Sequence, residues 1–128
     1  MKFKAKLLEP DYNRKPYFDG YETDKADNLY DCINCGNTLK IEFDEILHSA
    51  YGWKENFNEC DAKDISQHFS LNIVGKSHDG GWPSILEKKC EQCNSDYLFY
   101  FGLNEYHHST YKIVLQGISQ IEAKKKEA

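Results

Sequence analysis

The sequence predicts an α+β fold, an antiparallel sheet of five or six strands with two short helices, and three observations predict it. Two Cys-x-x-Cys turns, Cys32-Ile33-Asn34-Cys35 and Cys90-Glu91-Gln92-Cys93, are each followed by strand-like sequence. Apolar and polar residues alternate over residues 2–8 and 38–43, the two-residue period of a half-buried strand. Between the two turns, Ile46, Leu47 and Ala50, and then Ala62, Ile65 and Phe69, recur at helical spacing.

Taken in order, residues 2–8 set Lys2, Lys4 and Lys6 against Phe3, Ala5 and Leu7, a strand whose lysine-coated face suits a sheet edge. Residues 9–30 read as irregular, because Pro10, Pro16, Asn13, Asp19-Gly20 and Asp27-Asn28 are turn formers; Tyr12, Tyr17, Phe18 and Tyr21 are expected to pin this stretch to the body. Over 38–43, Leu39, Ile41 and Phe43 face in. Asp44 is expected to cap a helix running to about Tyr51, with Gly52 ending it. Residues 53–60 read as a loop around Trp53 and Phe57, and 61–69 as the second helix. Leu71, Ile73 and Val74 predict a strand, Asp79-Gly80-Gly81 a flexible turn, and Ile85-Leu86 leads to the second cysteine pair. Residues 96–106 and 110–121 are the long strands, with a turn around 104–109. The second is apolar on both parities, which predicts a central place. One domain, residues 1–121, is expected in this chain of 128, with a charged flexible tail over 122–128.

Four thiolates in two x2 pairs are the ligand set of a tetrahedral structural zinc site, so Cys32, Cys35, Cys90 and Cys93 are expected to hold one Zn2+ as a split zinc ribbon. Gly36 supplies the positive φ that follows such a knuckle. The 54 residues between Cys35 and Cys90 exceed the usual gap of about 15–20, so the metal would clip together the ends of a substantial insert. Two unrelated pairs, or two redox motifs, are the alternatives. A redox Cys-x-x-Cys belongs to a βαβ unit, and none is read here. Cys60 is left over, and reads as a small core residue or a passive thiol. The start of the chain has no apolar run of signal length, and five cysteines then read as cytosolic thiols, which places the protein in the cytoplasm.

The net charge is −5, but lysines crowd both ends: residues 7–121 hold 10 basic and 19 acidic residues, a net of −9. There is one arginine, Arg14. Such a body repels polynucleotide phosphates and attracts a basic protein face. Aromatic residues make up 14 % of the chain, and Tyr and Trp are the rings that anchor protein interfaces. Candidate partner contacts are Asp44 and Glu45, the rings of Trp53 and Trp82, and the polar cluster Glu105, His107, His108 and Ser109. No phosphate loop, nucleophile elbow, His-Glu-x-x-His or paired-carboxylate signature is present, so no enzyme is expected.

The second cysteine pair, the strand end Gly102-Leu103-Asn104-Glu105, and Tyr111-Lys112-Ile113-Val114-Leu115-Gln116-Gly117-Ile118 resemble zinc-ribbon immunity proteins of bacterial polymorphic toxin systems, those paired with DNase effectors. The resemblance spans residues 30–121 loosely and 90–121 best. It implies an effector inhibitor of bacterial competition that neutralises a cognate basic nuclease toxin by direct contact, with Glu105, His107, His108 and Ser109 as the contact cluster. A zinc-ribbon nucleic-acid or transcription adaptor is the alternative, opposed by the acidic body.

Overall fold

The computed structural model describes residues 1–11, 13–71 and 76–122. Tyr12, most of the strand expected around Leu71, Ile73 and Val74, and the tail past residue 122 fall outside them. The described chain runs β1 (Phe3–Leu8), β2 (Phe18–Tyr21), β3 (Asn28–Asp31), β4 (Thr38–Ile41), α1 (Phe43–Ala50), α2 (Glu59–His68), β5 (Trp82–Lys89), β6 (Asp96–His107) and β7 (Thr110–Ile121). Short 3-10 turns lie at Glu22–Asp24 and Trp53–Asn56. No described helix is long and apolar enough to cross a membrane.

Five strands form one antiparallel sheet in the order β1-β7-β6-β5, with β2 also on β7. β1 pairs with residues 118–121 of β7 and β2 with residues 110–113, so two short strands share one edge end to end. The gap between them is closed by side chains. The Arg14 guanidinium donates to the carbonyls of Leu115, Gln116 and Glu9, at 3.2, 2.9 and 2.9 Å. Gln116 is the bulged residue opposite Tyr100 and Phe101, and its Oε1 accepts the Asp11 N–H. The one arginine of the chain therefore acts as a strand substitute.

β7 is buried along both faces, as its two apolar parities predict, and so is β6 over residues 96–103. Tyr97, Phe99, Phe101 and Leu103 meet α1 and the β3–β4 hairpin on one side; Leu98 and Tyr100 meet Trp53 and the Ala62, Ile65, Phe69 face of α2 on the other. At Gly117 the approach is so close that a Cβ would lie 2.8 Å from the Phe69 ring. The outer edge of β5 is covered by α1. The Ser49 hydroxyl donates to the Ile85 carbonyl (2.8 Å) and accepts its N–H (3.1 Å), and Ser84 Oγ donates to the Ile46 carbonyl (2.7 Å). A side chain thus satisfies the backbone of an otherwise open edge.

Local starts and stops differ from the sequence expectations in identifiable ways. Glu42, not Asp44, takes the N-cap of α1, and its N–H is accepted by Glu45 Oε1 at 2.8 Å, while Asp27 Oδ1 accepts the Phe43 N–H at 3.0 Å. α2 starts at Glu59, two residues before the expected Asp61, because Asn58 Oδ1 caps the Asp61 N–H at 2.7 Å. The stretch expected to be irregular contains β2 and β3. The residues after Asp79-Gly80-Gly81 are strand, since Pro83 is tolerated on the sheet edge that β5 forms.

Candidate functional site

The two cysteine pairs are the turns of two β-hairpins, β3–β4 and β5–β6, and the turns are built alike. Cys32 N–H donates to the Asn37 carbonyl and the Cys32 carbonyl accepts from Gly36 N–H, both at 2.8 Å; Cys90 does the same with Ser95 and Asn94, also at 2.8 Å. The matching positions Gly36 (φ 78°) and Asn94 (φ 62°) are left-handed, the backbone that Gly and Asn adopt with least strain. Identical turns aim four sulfurs at one point.

All four Sγ atoms lie within 4.8 Å of one another, and among the described residues no other group of three or more possible ligands converges in this way. The cross-hairpin pairs Cys32–Cys93 and Cys35–Cys90 are each 3.5 Å apart. That is far beyond the roughly 2.05 Å of a disulfide. It is close to the edge of about 3.8 Å that a sulfur tetrahedron has around an ion at about 2.3 Å. The donor set and spacing fit a tetrahedral metal ion. Cys32 and Cys90 are buried, whereas Cys35 and Cys93 face solvent.

Titration follows the surroundings. Burial disfavours the Cys32 thiolate, but the Tyr97 hydroxyl (3.0 Å) and the N–H groups of Asn34 and Cys35 outweigh it and bring the thiol down to about 6. The Asn37 N–H favours the Cys35 thiolate, yet burial and the neighbouring sulfurs hold that thiol up at about 12. The N–H of Cys93 leads in lowering Cys90. Four sulfurs this close cannot all ionise against one another unless a cation sits among them.

The candidate partner contacts separate. Trp53 is only 5 % exposed and packs in the α2-side core with its ring edge to Phe57, so its ring is not presented to a partner. Trp82 is 53 % exposed, with Lys76 Nζ 5.4 Å from its ring. Asp44 pairs with Lys25 and Glu45 with Lys88, each at 3.0 Å, on the wall of a groove of about 570 Å³ that Tyr51, Glu55 and Leu86 also line. Glu105 lies opposite Tyr111 on β7; burial first, then the Glu105 carboxylate, then Tyr51 and Glu22 push the Tyr111 phenol up to about 12. His107 and His108 are exposed in the β6–β7 turn, and the Ser109 carbonyl accepts the Glu22 N–H at 2.9 Å. The Phe43 ring at the start of α1 meets Tyr111 at 5.9 Å, but Glu45 is drawn by Lys88, which lies opposite Tyr97, toward the cysteine end of the sheet and away from Glu105. Cys60 is an exposed free thiol in the first turn of α2 rather than a core residue.

Three exposed tyrosines stand at the Glu105 end of the sheet: Tyr51 and Tyr106, which sequence reasoning missed, and Tyr21, which it expected to pin its stretch to the body. Tyr21 pairs with Thr110 beside the turn, Tyr51 caps α1, and Tyr106 donates to Asp19 Oδ1 at 2.7 Å. Their positions in short or bulged elements gave no periodic signal. Sequence reasoning also missed Tyr97, which reads as one more core ring of β6. No family model, curated protein or solved structure matches the chain.

Proposed function

We propose that this chain is a zinc-stapled inhibitor of the immunity type, which docks on a basic cognate toxin of the nuclease class and neutralises it in the cell that makes it. Zinc is the ion of choice because a four-thiolate tetrahedron selects zinc or iron–sulfur chemistry, and zinc holds such a site without redox change. The ion cross-links the hairpins and takes no part in chemistry.

The observation that carries the reading is the end of the sheet remote from the cysteines. β6 spans about 36 Å from its first residue to its last at about 3.3 Å per residue. At its far end stand Trp82, Tyr106, Tyr21 and Tyr51, all exposed, with Glu22 and Glu105 beside them. Rings supply contact area at low entropic cost, and carboxylates steer a basic partner. The body carries a net of −9 over residues 7–121, and Arg14 is tied to backbone carbonyls, so little remains to hold polynucleotide phosphates.

The test is co-expression with the toxin domain encoded beside this chain. Rescue of growth and an equimolar complex on co-purification are the expected results. Failure of both, or tight salt-sensitive retention of the purified chain on DNA, overturns the reading in favour of a nucleic-acid adaptor.

A further inference from the structure

We infer that Tyr97 is a positioning residue of the metal centre, whose buried hydroxyl holds the Cys32 sulfur on the ion and thereby sets how tightly the metal is kept. The inference rests on the reading of the four cysteines as a metal site. Its geometry is specific. Tyr97 is fully buried on β6, seven residues past Cys90. Its oxygen accepts the Ile33 N–H at 3.2 Å and, with its own hydrogen, meets Cys32 Sγ at 3.0 Å. A side chain of the second hairpin thus grips both the backbone and the ligand atom of the first knuckle.

The grip is rigid because the ring has no room to turn. Tyr30 packs edge-on at 5.6 Å and Phe99 lies at 6.0 Å. The oxygen has no solvent to fall back on, so its hydrogen bonds are made inside the site or not at all.

The arrangement is not a by-product of the knuckle fold. The two hairpins share their turn hydrogen bonds and their left-handed residue, but the position matching Tyr97 in the first hairpin is Leu39, which has no donor. The second buried ligand, Cys90, receives a longer contact from Asn37 Nδ2, at 3.8 Å. Each buried sulfur is thus steadied by a side chain from the opposite hairpin, most closely at Cys32. Partners of this kind orient metal ligands and tune their basicity.

Tyr97→Phe keeps the ring and removes only the donor. In competition against a chromophoric chelator, its zinc should be held about 10–100-fold more weakly than in the unaltered chain. In the cobalt-loaded protein, the thiolate-to-metal absorption should move to longer wavelength, because a thiolate without an O–H donor gives up its electron more readily. Phe99→Leu, a packing change that touches no sulfur, should leave that band in place. Incorporation of 3-fluorotyrosine, a stronger donor that leaves the sequence intact, should move the band to shorter wavelength and keeps the test open should Tyr97→Phe fail to fold. An unmoved band and unchanged zinc affinity in Tyr97→Phe, or an unmoved band with 3-fluorotyrosine, overturn the assignment while leaving the metal site standing. Failure of the unaltered chain to take up zinc or cobalt overturns both.

Discussion

At the scale of single residues, several side chains do the work of missing backbone. Arg14 spans the gap between β1 and β2, and its three carbonyl partners are charge-assisted acceptors that the sheet leaves without a strand. Arg14→Ala should cost about 2 kcal/mol, the scale of hydrogen bonds to a charged group, and is measured by urea unfolding of the metal-loaded chain. Arg14→Lys should recover less than half of this, since an ammonium cannot reproduce the planar fork that reaches several carbonyls at once. Full recovery by lysine would show that the charge alone matters there. Ser49 plays the same part on the other edge, where one hydroxyl serves both the N–H and the carbonyl of Ile85.

At the scale of elements, the β3–β4 hairpin is the piece that would depend most on a metal held by the cysteines. It forms a two-stranded sheet of its own, outside the main sheet. An isolated hairpin is marginal in water. Apart from the cysteines it is held by Leu39, Ile41, the Tyr97 hydroxyl on the Ile33 N–H, and the Tyr30 ring, which rests edge-on against Tyr97 and Phe99. The β6–β7 pair is instead buried on both faces, β6 over residues 96–103, without help from the cysteines. Chelation should therefore strip hydrogen-exchange protection from residues 28–41 first, while amides of residues 98–103 and 113–119 stay protected. Uniform loss across both sets, or none in either, would refute this division. Structural zinc contributes about 10–16 kcal/mol in finger peptides, enough to make the hairpin's order conditional on the ion.

At the scale of the whole molecule, the four clustered cysteines and the exposed rings occupy opposite ends of one long sheet. A metal ion held by the cysteines would cross-link one end and leave the other to present side chains. Asp44 and Glu45 already have lysine partners, although the exposed Lys25–Asp44 pair is worth little and yields readily to a competitor. For the proposed basic partner, Glu105, with His107 and His108 beside it, is the better candidate anchor. If the proposed reading holds, Glu105→Lys combined with His107→Ala and His108→Ala should weaken binding of the co-expressed toxin by at least tenfold, mainly through slower association. Asp44→Lys should have a smaller effect. The rate difference should shrink as salt rises from about 0.05 to 0.5 M, because exposed charges are screened over shorter distances. Equal affinities in surface plasmon resonance would remove this end of the sheet from the interface.

Much of the architecture can be read from local pattern alone. The spacing of the four cysteines named the ligand set. Helical periodicity identified Ile46, Leu47, Ala50 and Ala62, Ile65, Phe69 as inward faces, and the double-sided apolar run of 110–121 placed β7 inside the sheet. These features are legible because each is decided by neighbours within a turn or two of chain. Tertiary structure alone decided the rest. β2 and β5 are strands because β7 and β6 offer them hydrogen-bonding partners, against the local signals of Asp19-Gly20 and Pro83. Trp53 is core because α2 folds over it, and Tyr97 meets a cysteine because two hairpins distant in sequence close on one point. In each of these the deciding partner lies far along the chain, and a hydrogen bond or a buried ring leaves no periodic trace of the residue that will complete it.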